Sequence, residues 1–396
     1  MEIQRVGVVG GGTMGAGIIQ TLSRFGYPVY FKEVSDALVK KCIGQVEKIY
    51  SSALKKGKLG EEDVKKGLSL IHGGTGDEGL YEMDLVIEAV PERMEIKKAA
   101  FQTLDKVCKP NAILTSNTSS FSITEIGNFT SRTSHVVGMH WFNPPHVMKL
   151  IEIIPGIETS DEVVECLAHF CRSLEKIPVR VKECAGFLVN RLLGMYVNEA
   201  LFMVEEGEEP IGVDQAALSL GIPMGPLRLG DMVGWDIIYH SNRTLYEEYG
   251  SRFLLPKVLF QMVGEGRLGV KSGLGIYTYG VEKSIELSFN HDKEKLNFLS
   301  NRLLFPWMNE GIRCLEEGVA TLGDIDLALQ IGAGMPKGPL VWADEVGLDV
   351  LLQELEIFKA RYGERFWPSP FLRKKVRAGH LGKKSGMGFF RYSTGC

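Results

Sequence analysis

Residues 3 to 34 read IQRVGVVGGGTMGAGIIQTLSRFGYPVYFKEV, and the order of residue types specifies a strand, a glycine turn, a helix and a second strand. The apolar run Val6 to Val9 leads into Gly10-x-Gly12-x-x-Gly15, a helical segment continues to Phe25, and a second strand, Val29 to Phe31, ends at Glu33. A G-x-G-x-x-G triplet alone often marks only a turn. Here the strand before it, the helix after it and an acidic residue eighteen positions beyond Gly15 all stand where a dinucleotide site needs them. Gly10 permits the tight turn, Gly12 lets the backbone approach a pyrophosphate, and Gly15 lets helix and strand pack closely. The helix N-terminus then offers N–H groups and a positive dipole end to phosphate. Glu33 is placed to accept from the adenosine ribose hydroxyls and to repel a 2′-phosphate, which favours NAD over NADP; the neighbouring Lys32 softens that rejection.

Working outward, further strands read at Asp84 to Ala89 and Ile113 to Ser116, and the alternation of strands with helices implies a Rossmann-type, doubly wound parallel sheet. Ligands of such sheets bind at the carboxyl ends of strands. Glu88 to Glu92 and Asn117 to Ser120 both fall at such ends, which places Asn117 and Ser119 at the cofactor edge. Ser119 alone is equally compatible with a turn cap. VVGMH (136 to 140) and VMKLIEII (147 to 154) read as buried strands, interrupted by Asn143-Pro144-Pro145. If the two strands lie side by side across that break, His140 and Glu152 sit symmetrically about residue 146 and can touch. A carboxylate on one imidazole nitrogen fixes the tautomer and raises the basicity of the other, as a general base for an alcohol proton requires. The plainer reading of a lone strand histidine is a satisfied core residue.

A chain of 396 residues implies two or three domains. Its net charge of −4 gives no reason to expect nucleic acid. Seven scattered cysteines without a C-x-x-C pair argue against a disulfide framework or zinc site and for a reducing compartment. No run approaches the ~18 apolar residues of a membrane span. A first strand within residues 3 to 9 leaves no room for a signal or transit peptide, and the terminal STGC is neither a peroxisomal nor an ER-retention address, so the expectation is cytoplasmic. Residues 36 to 70 read as a charged helical hairpin with Lys48, Lys55, Lys56 and Lys58; spacing favours a solvated face over a basic clamp for a phosphorylated substrate.

The C-terminal half repeats itself. GFLVNRLLGMYVNEALFMVEEG (186 to 207) matches NFLSNRLLFPWMNEGIRCLEEG (297 to 318). MGPLRLGDMVGWDII (224 to 238) matches KGPLVWADEVGLDVL (337 to 351), and LGVKSGLGIYTY (268 to 279) matches LGKKSGMGFFRY (381 to 392). The offset drifts only from 111 to 113, and both copies carry apolar residues at helical spacing. We therefore expect two repeated all-α domains joined through the charged stretch Val281 to Lys295. The expected organisation is 1–182 for the nucleotide-binding domain and 183–282 and 283–396 for the two helical copies. A helical unit with an exposed apolar face buries it, commonly against a copy of itself about a two-fold axis.

Taken together, GGGTMGAGI, EAVPERMEIK, SNTSS, HWFNPP, MKLIE and AGFLVNRLL (185 to 193) resemble the 3-hydroxyacyl-CoA dehydrogenase family, over nearly the whole chain. The resemblance implies an NAD-dependent oxidation of (S)-3-hydroxyacyl-CoA with His140 and Glu152 as the catalytic pair and Ser119 and Asn190 bonded to substrate oxygens. It implies NAD contacts at Glu92, Lys97 and Asn143 and, less closely matched, Lys271. It also lifts Lys56 to a coenzyme A contact. Glu33 stands where the family usually has aspartate, Trp141 replaces a frequent phenylalanine, and Pro145-His146 departs from the usual loop; His146 has no assigned task. The tandem C-terminal copies resemble the fused multifunctional enzymes of fatty-acid oxidation. They imply a monomer with an internal pseudo-dimer, or a homodimer, with substrate handed over by an enoyl-CoA hydratase. Asn301 is the repeat counterpart of Asn190 and is expected to be structural. Two other readings stay open: a dehydrogenase of a free hydroxy or sugar acid, and a non-catalytic, crystallin-like NAD-binding protein.

Overall fold

The computed structural model describes residues 2–280 and 292–393. The expected boundary at 282/283, residues 281–291 of the expected connection and residues 394–396 lie outside the described residues. Two compact units are formed, Met1–Cys184 and Ala185–Cys396.

The first unit runs β1 (Val6–Val9), α1 (Thr13–Arg24), β2 (Val29–Lys32), α2 (Asp36–Lys55), α3 (Glu61–Ser69), β3 (Ile71–Gly74), β4 (Leu85–Glu88) and α4 (Met94–Val107). It continues with β5 (Ile113–Ser116), α5 (Ile123–Gly127), β6 (Val136–Trp141), β7 (Leu150–Pro155), α6 (Asp161–Ser173) and β8 (Ile177–Arg180). The eight strands form one sheet in the order β3-β2-β1-β4-β5-β6-β7-β8. Pairing is parallel from β3 to β6, and β7 runs antiparallel to β6 before pairing in parallel with β8. The central strands are buried on both faces, which explains their uninterrupted apolar runs.

Local chemistry sets the element ends. Ser35, Ser122 and Ser160 cap α2, α5 and α6 by accepting from Leu38, Glu125 and Val163 N–H. Gly12 caps α1 with no side-chain acceptor, so the first-turn N–H groups stay directed outward at the end of β1. A Cβ on Gly15 would lie 1.9 Å from the Gly10 carbonyl oxygen, which is why only glycine fits where helix and turn meet. Residues 36 to 70 form the hairpin of α2 and α3. The strand read from Val147 begins only at Leu150, because Val147 and Met148 N–H both donate to the Pro144 carbonyl (2.9 and 3.0 Å) and close a turn instead.

The second unit is built from α7 (Val189–Glu205), α8 (Pro210–Leu218), α9 (Pro226–Val233), α10 (Trp235–Tyr249) and α11 (Lys257–Gly264). These recur as α12 (Lys293–Glu316), α13 (Leu322–Ala333), α14 (Pro339–Val346), α15 (Leu348–Tyr362) and α16 (Pro370–Arg377). The repeat extends to individual hydrogen bonds. Buried Asp231 accepts from Ile276 and Tyr277 N–H, and Asp344 from Phe389 and Phe390 N–H, all at 2.9 Å. Asp214 and Asp326 likewise cap α9 and α14.

The two copies meet through α7 and α12, where the buried ion pairs are reciprocal. Arg191 and Arg252 of the first copy hold Glu310 and Glu317 of the second; Arg302 and Arg365 of the second hold Glu199 and Glu206 of the first. Such exchange is what a two-fold interface between identical subunits produces, here inside one chain. Among the described residues no helix is long and apolar enough to cross a membrane. Glu310→Ala should destabilise the second unit by ~3–5 kcal/mol, because buried guanidinium groups lose their shared carboxylate. Glu199→Ala should do so by a similar amount; urea unfolding of both variants checks the symmetry.

Candidate active site

The carboxyl ends of β1, β2, β4, β5 and β6 converge on one edge of the sheet. At the first of these, Gly10 has φ +99°, a conformation that L side chains rarely adopt. Glu33, just past β2, accepts from Gly11 N–H at 2.6 Å, so the acidic residue and the glycine turn are already joined. Lys32 turns its ammonium to Asp77, which removes the neighbouring cation that would temper rejection of a 2′-phosphate. Nothing lies within 4 Å of a Cβ built on Gly12, so the turn has open space where a pyrophosphate would approach. Together with the uncapped start of α1 and the Glu33 carboxylate, these residues fit a dinucleotide. Cys42 lies beneath Gly11; burial and then the Glu33 charge push its thiol up to about 12, so it is unreactive there.

Between β4 and β5 sits a polar network that sequence reading only partly located. Glu88, at the end of β4 and wholly buried, accepts from Lys97 Nζ (2.8 and 3.0 Å), Ser116 Oγ (2.6 Å) and Val90 N–H (2.8 Å). Lys97 reaches Glu92 at 3.0 Å, and Glu92 in turn accepts from Thr118 Oγ1 (2.5 Å), Ser119 N–H (3.1 Å) and Ser120 Oγ (3.1 Å). Burial opposes ionisation of Glu92, yet Lys97 and these donors hold its carboxyl below the usual range. Lys97 itself is buried, so its observed work is to hold two carboxylates and, through Glu92, the Thr118–Ser120 turn. Glu88, Ser116 and Thr118 went unassigned in the sequence. The available signal was a carboxylate ending an apolar strand nine residues before a lysine.

In the β6–β7 ladder His140 stands opposite Glu152, and His140 Nδ1 lies 2.7 Å from Glu152 Oε2 with both groups buried. The symmetry about residue 146 is therefore a real register. Asn117 Oδ1 accepts from Trp141 N–H at 2.9 Å, tying the end of β5 to the residue after the histidine. The β5–β6 register ends with Ser116 opposite Gly138, two residues before His140. Phe142 packs on the imidazole, with ring centroids 4.6 Å apart.

Asn143 is exposed on the loop that follows. Pro145 in that loop rests on Gly17 of α1: a Cβ there would lie 2.9 Å from the proline ring. His146 is held below its ordinary value by burial, then by Lys176, Lys56 and Lys58. The basic tip of the α2–α3 hairpin thus acts electrostatically on the loop beside His140. Lys56 itself is exposed just past α2.

In the second unit, Asn190 stands in the first turn of α7, whereas its repeat counterpart Asn301 lies two turns inside the longer α12. Lys271 forms an ion pair with Asp236, and Lys384 repeats it with Asp349. A contact made by both copies has a structural reason independent of any cofactor. Among the described residues no group of three or more His, Cys, Asp or Glu side chains is placed to hold a metal.

The family model for the 3-hydroxyacyl-CoA dehydrogenase NAD binding domain matches residues 5–184, and that for the C-terminal domain matches twice, at 186–279 and 298–392. The glyoxysomal fatty acid beta-oxidation multifunctional protein MFP-a of Brassica napus is 34% identical over 401 residues, covering 96% of this chain and 55% of the relative. The fatty acid oxidation complex subunit alpha of Vibrio cholerae is 36% identical over 396 residues, covering 96% and 56%. This chain therefore spans little more than half the length of these relatives. The crystal structure of 3-hydroxybutyryl-CoA dehydrogenase from Escherichia coli K12 superposes with a TM-score of 0.89 at 30% identity, covering 96% of this chain and 99% of that one. With two domain models matched in order and the second matched twice, this chain belongs to the 3-hydroxyacyl-CoA dehydrogenase family.

Proposed function

We propose that the chain oxidises (S)-3-hydroxyacyl-CoA to 3-oxoacyl-CoA, reversibly and with NAD in preference to NADP. The observation that carries this reading is the buried His140–Glu152 pair, 2.7 Å apart, on the sheet edge that also holds the glycine turn. NAD, when bound along Gly10–Gly15, supplies the acceptor for the hydride leaving C3 of the substrate. The chain supplies the proton acceptor. Glu152 takes the Nδ1–H bond, so Nε2 carries the lone pair that removes the hydroxyl proton. As the imidazole becomes cationic, the carboxylate behind it stabilises the charge, and burial strengthens that interaction. Ser119 orients the alcohol oxygen and Asn190 the thioester.

Glu33, Glu92, Lys97, Asn117 and Asn143 form the cofactor contacts in this reading, directly or by holding the turns that touch it, and Lys271 takes a minor part. Lys56 faces the phosphates of coenzyme A, supported by the effect of the hairpin's charges on His146. The domain reading is 1–182, 183–282 and 283–396. The reciprocal pairs of the second unit support an internal pseudo-dimer and a monomeric chain, and relatives named as multifunctional proteins support substrate delivery by an enoyl-CoA hydratase. The six described free cysteines suit a reducing compartment, and we place the protein in the cytoplasm.

His140→Gln should lower kcat for a 3-hydroxyacyl-CoA by ~10²–10⁴-fold while NADH still binds, as followed by its fluorescence; near-normal turnover would remove the base assignment. Lys56→Ala should raise KM for the acyl-CoA by about two- to fivefold and leave a free 3-hydroxy acid unaffected. Equal effects on both substrates would point instead to a free-acid dehydrogenase.

A further inference from the structure

Lys176 lies between α6 and β8 and is 7% exposed, yet among the described residues no carboxylate stands within ion-pair distance of it. Its Nζ donates to the carbonyl oxygens of Pro145 (2.6 Å) and Met148 (2.7 Å) and lies 5.6 Å from the Trp141 ring centroid. Both carbonyls belong to the loop joining β6 to β7. That loop is poorly served by backbone bonds: the ladder ends at Trp141–Ile151, and Pro144 and Pro145 have no N–H to give. Buried carbonyls need donors, and Lys176 supplies two of them from beneath. From the other side, Pro145 rests on Gly17 of α1, so the loop is held between the nucleotide-binding helix and one ammonium.

The backbone invests in this placement. Glu175 has φ +55°, a left-handed position where glycine is the usual residue, and its turn directs Lys176 inward while Lys176 N–H closes on the Cys171 carbonyl at 3.0 Å. The adjoining Ile177 N–H donates to the Lys149 carbonyl at 2.8 Å, fixing the far end of the same loop. An ammonium buried without a counter-ion is costly, and a packed apolar side chain would be cheaper if filling space were its only task.

We propose that Lys176 is a positioning residue. By fastening the Phe142–Lys149 loop, it sets where His140 and Asn143 stand relative to the glycine turn. This rests on the oxidation reading above for the roles of those two residues. The groups facing Lys176 are Arg24, Lys149, the Cys171 thiol and, in the loop it fastens, His146. Burial, then Arg24, lower its ammonium to about 8, the thiol acting in the opposite sense and Lys149 in the same sense as Arg24. Above that pH the bonds to Pro145 and Met148 change from charge-assisted to neutral and weaken.

Lys176→Met removes the donors, while Lys176→Arg keeps a permanent cation. The expected result with a 3-hydroxyacyl-CoA is a kcat about 10- to 100-fold lower in Lys176→Met, with KM little changed. Lys176→Arg should recover most of the rate and carry the alkaline fall of kcat to higher pH. A folded Lys176→Met enzyme with wild-type kcat and pH profile, or a Lys176→Arg enzyme as slow as Lys176→Met, would overturn the proposal. Should Lys176→Met not fold, amide exchange in the wild-type chain decides. From about pH 7 to about pH 9, protection of Val147 and Met148, corrected for intrinsic rates, should fall while that of Met139 in β6 persists. Unchanged loop protection would overturn the proposal. Exchange needs no turnover, so a wild-type chain inactive on 3-hydroxyacyl-CoA would end the oxidation reading and leave this test standing.

Discussion

A carboxylate with no exposed surface must have a hydrogen-bond partner, and Glu152 meets that need across one strand pair with His140. Much of the first unit follows from this constraint. The pair exists only because β7 turns back antiparallel to β6 in a sheet that is otherwise parallel up to that point. That reversal needs a sharp connection, and the connection is rich in proline, so it cannot be held by ladder bonds. It is held by a turn onto the Pro144 carbonyl, by the seat of Pro145 on Gly17 and by Lys176. The same Gly17 lies in the helix that begins at the glycine turn. The His140–Glu152 pair and the glycine turn are thus connected through one short loop.

A second constraint governs the edge of the sheet. Glu88 and Glu92 place two carboxylates close together, and one buried ammonium, Lys97, reconciles them. Because Glu92 also collects donors from Thr118, Ser119 and Ser120, the turn bearing Ser119 is fixed by the same charge. Removing Lys97 would leave the buried Glu88 carboxylate without its counter-charge, which costs more than the intact pair contributes. The second unit solves a different problem with the same means. Two copies of a helical module bury their faces on each other, and each guanidinium that goes inside finds carboxylates from the opposite copy.

The family relationship and the glycine turn were legible because they depend on short-range order: strand, Gly10, Gly12, Gly15, helix and Glu33 follow one another within one βαβ unit. The repeat was legible for a similar reason, since duplicated segments keep their spacing in the chain. His140 and Glu152 were legible through their equal distance from residue 146, in two buried apolar runs on either side of a proline break. The start of β7 was misplaced at Val147 because an apolar residue satisfies a strand pattern equally well in a turn, and a hydrogen bond to the Pro144 carbonyl decides between them. Lys271 reads as a cofactor contact by motif, whereas its ion pair with Asp236, copied by Lys384 and Asp349, shows a role common to both repeats.

Residue order along the chain determined the Rossmann-type unit, the doubling of the helical module and the pairing of His140 with Glu152, because each is written in local spacing. Folding in three dimensions settled which charged groups are buried and what they hold. Glu88 beneath Lys97, Lys176 under the proline loop, and Arg191 and Arg302 exchanging partners between copies join residues 9, 31 and more than a hundred positions apart. No periodicity encodes such pairings. They arise because a desolvated charge must find its complement among whatever the packed elements bring near.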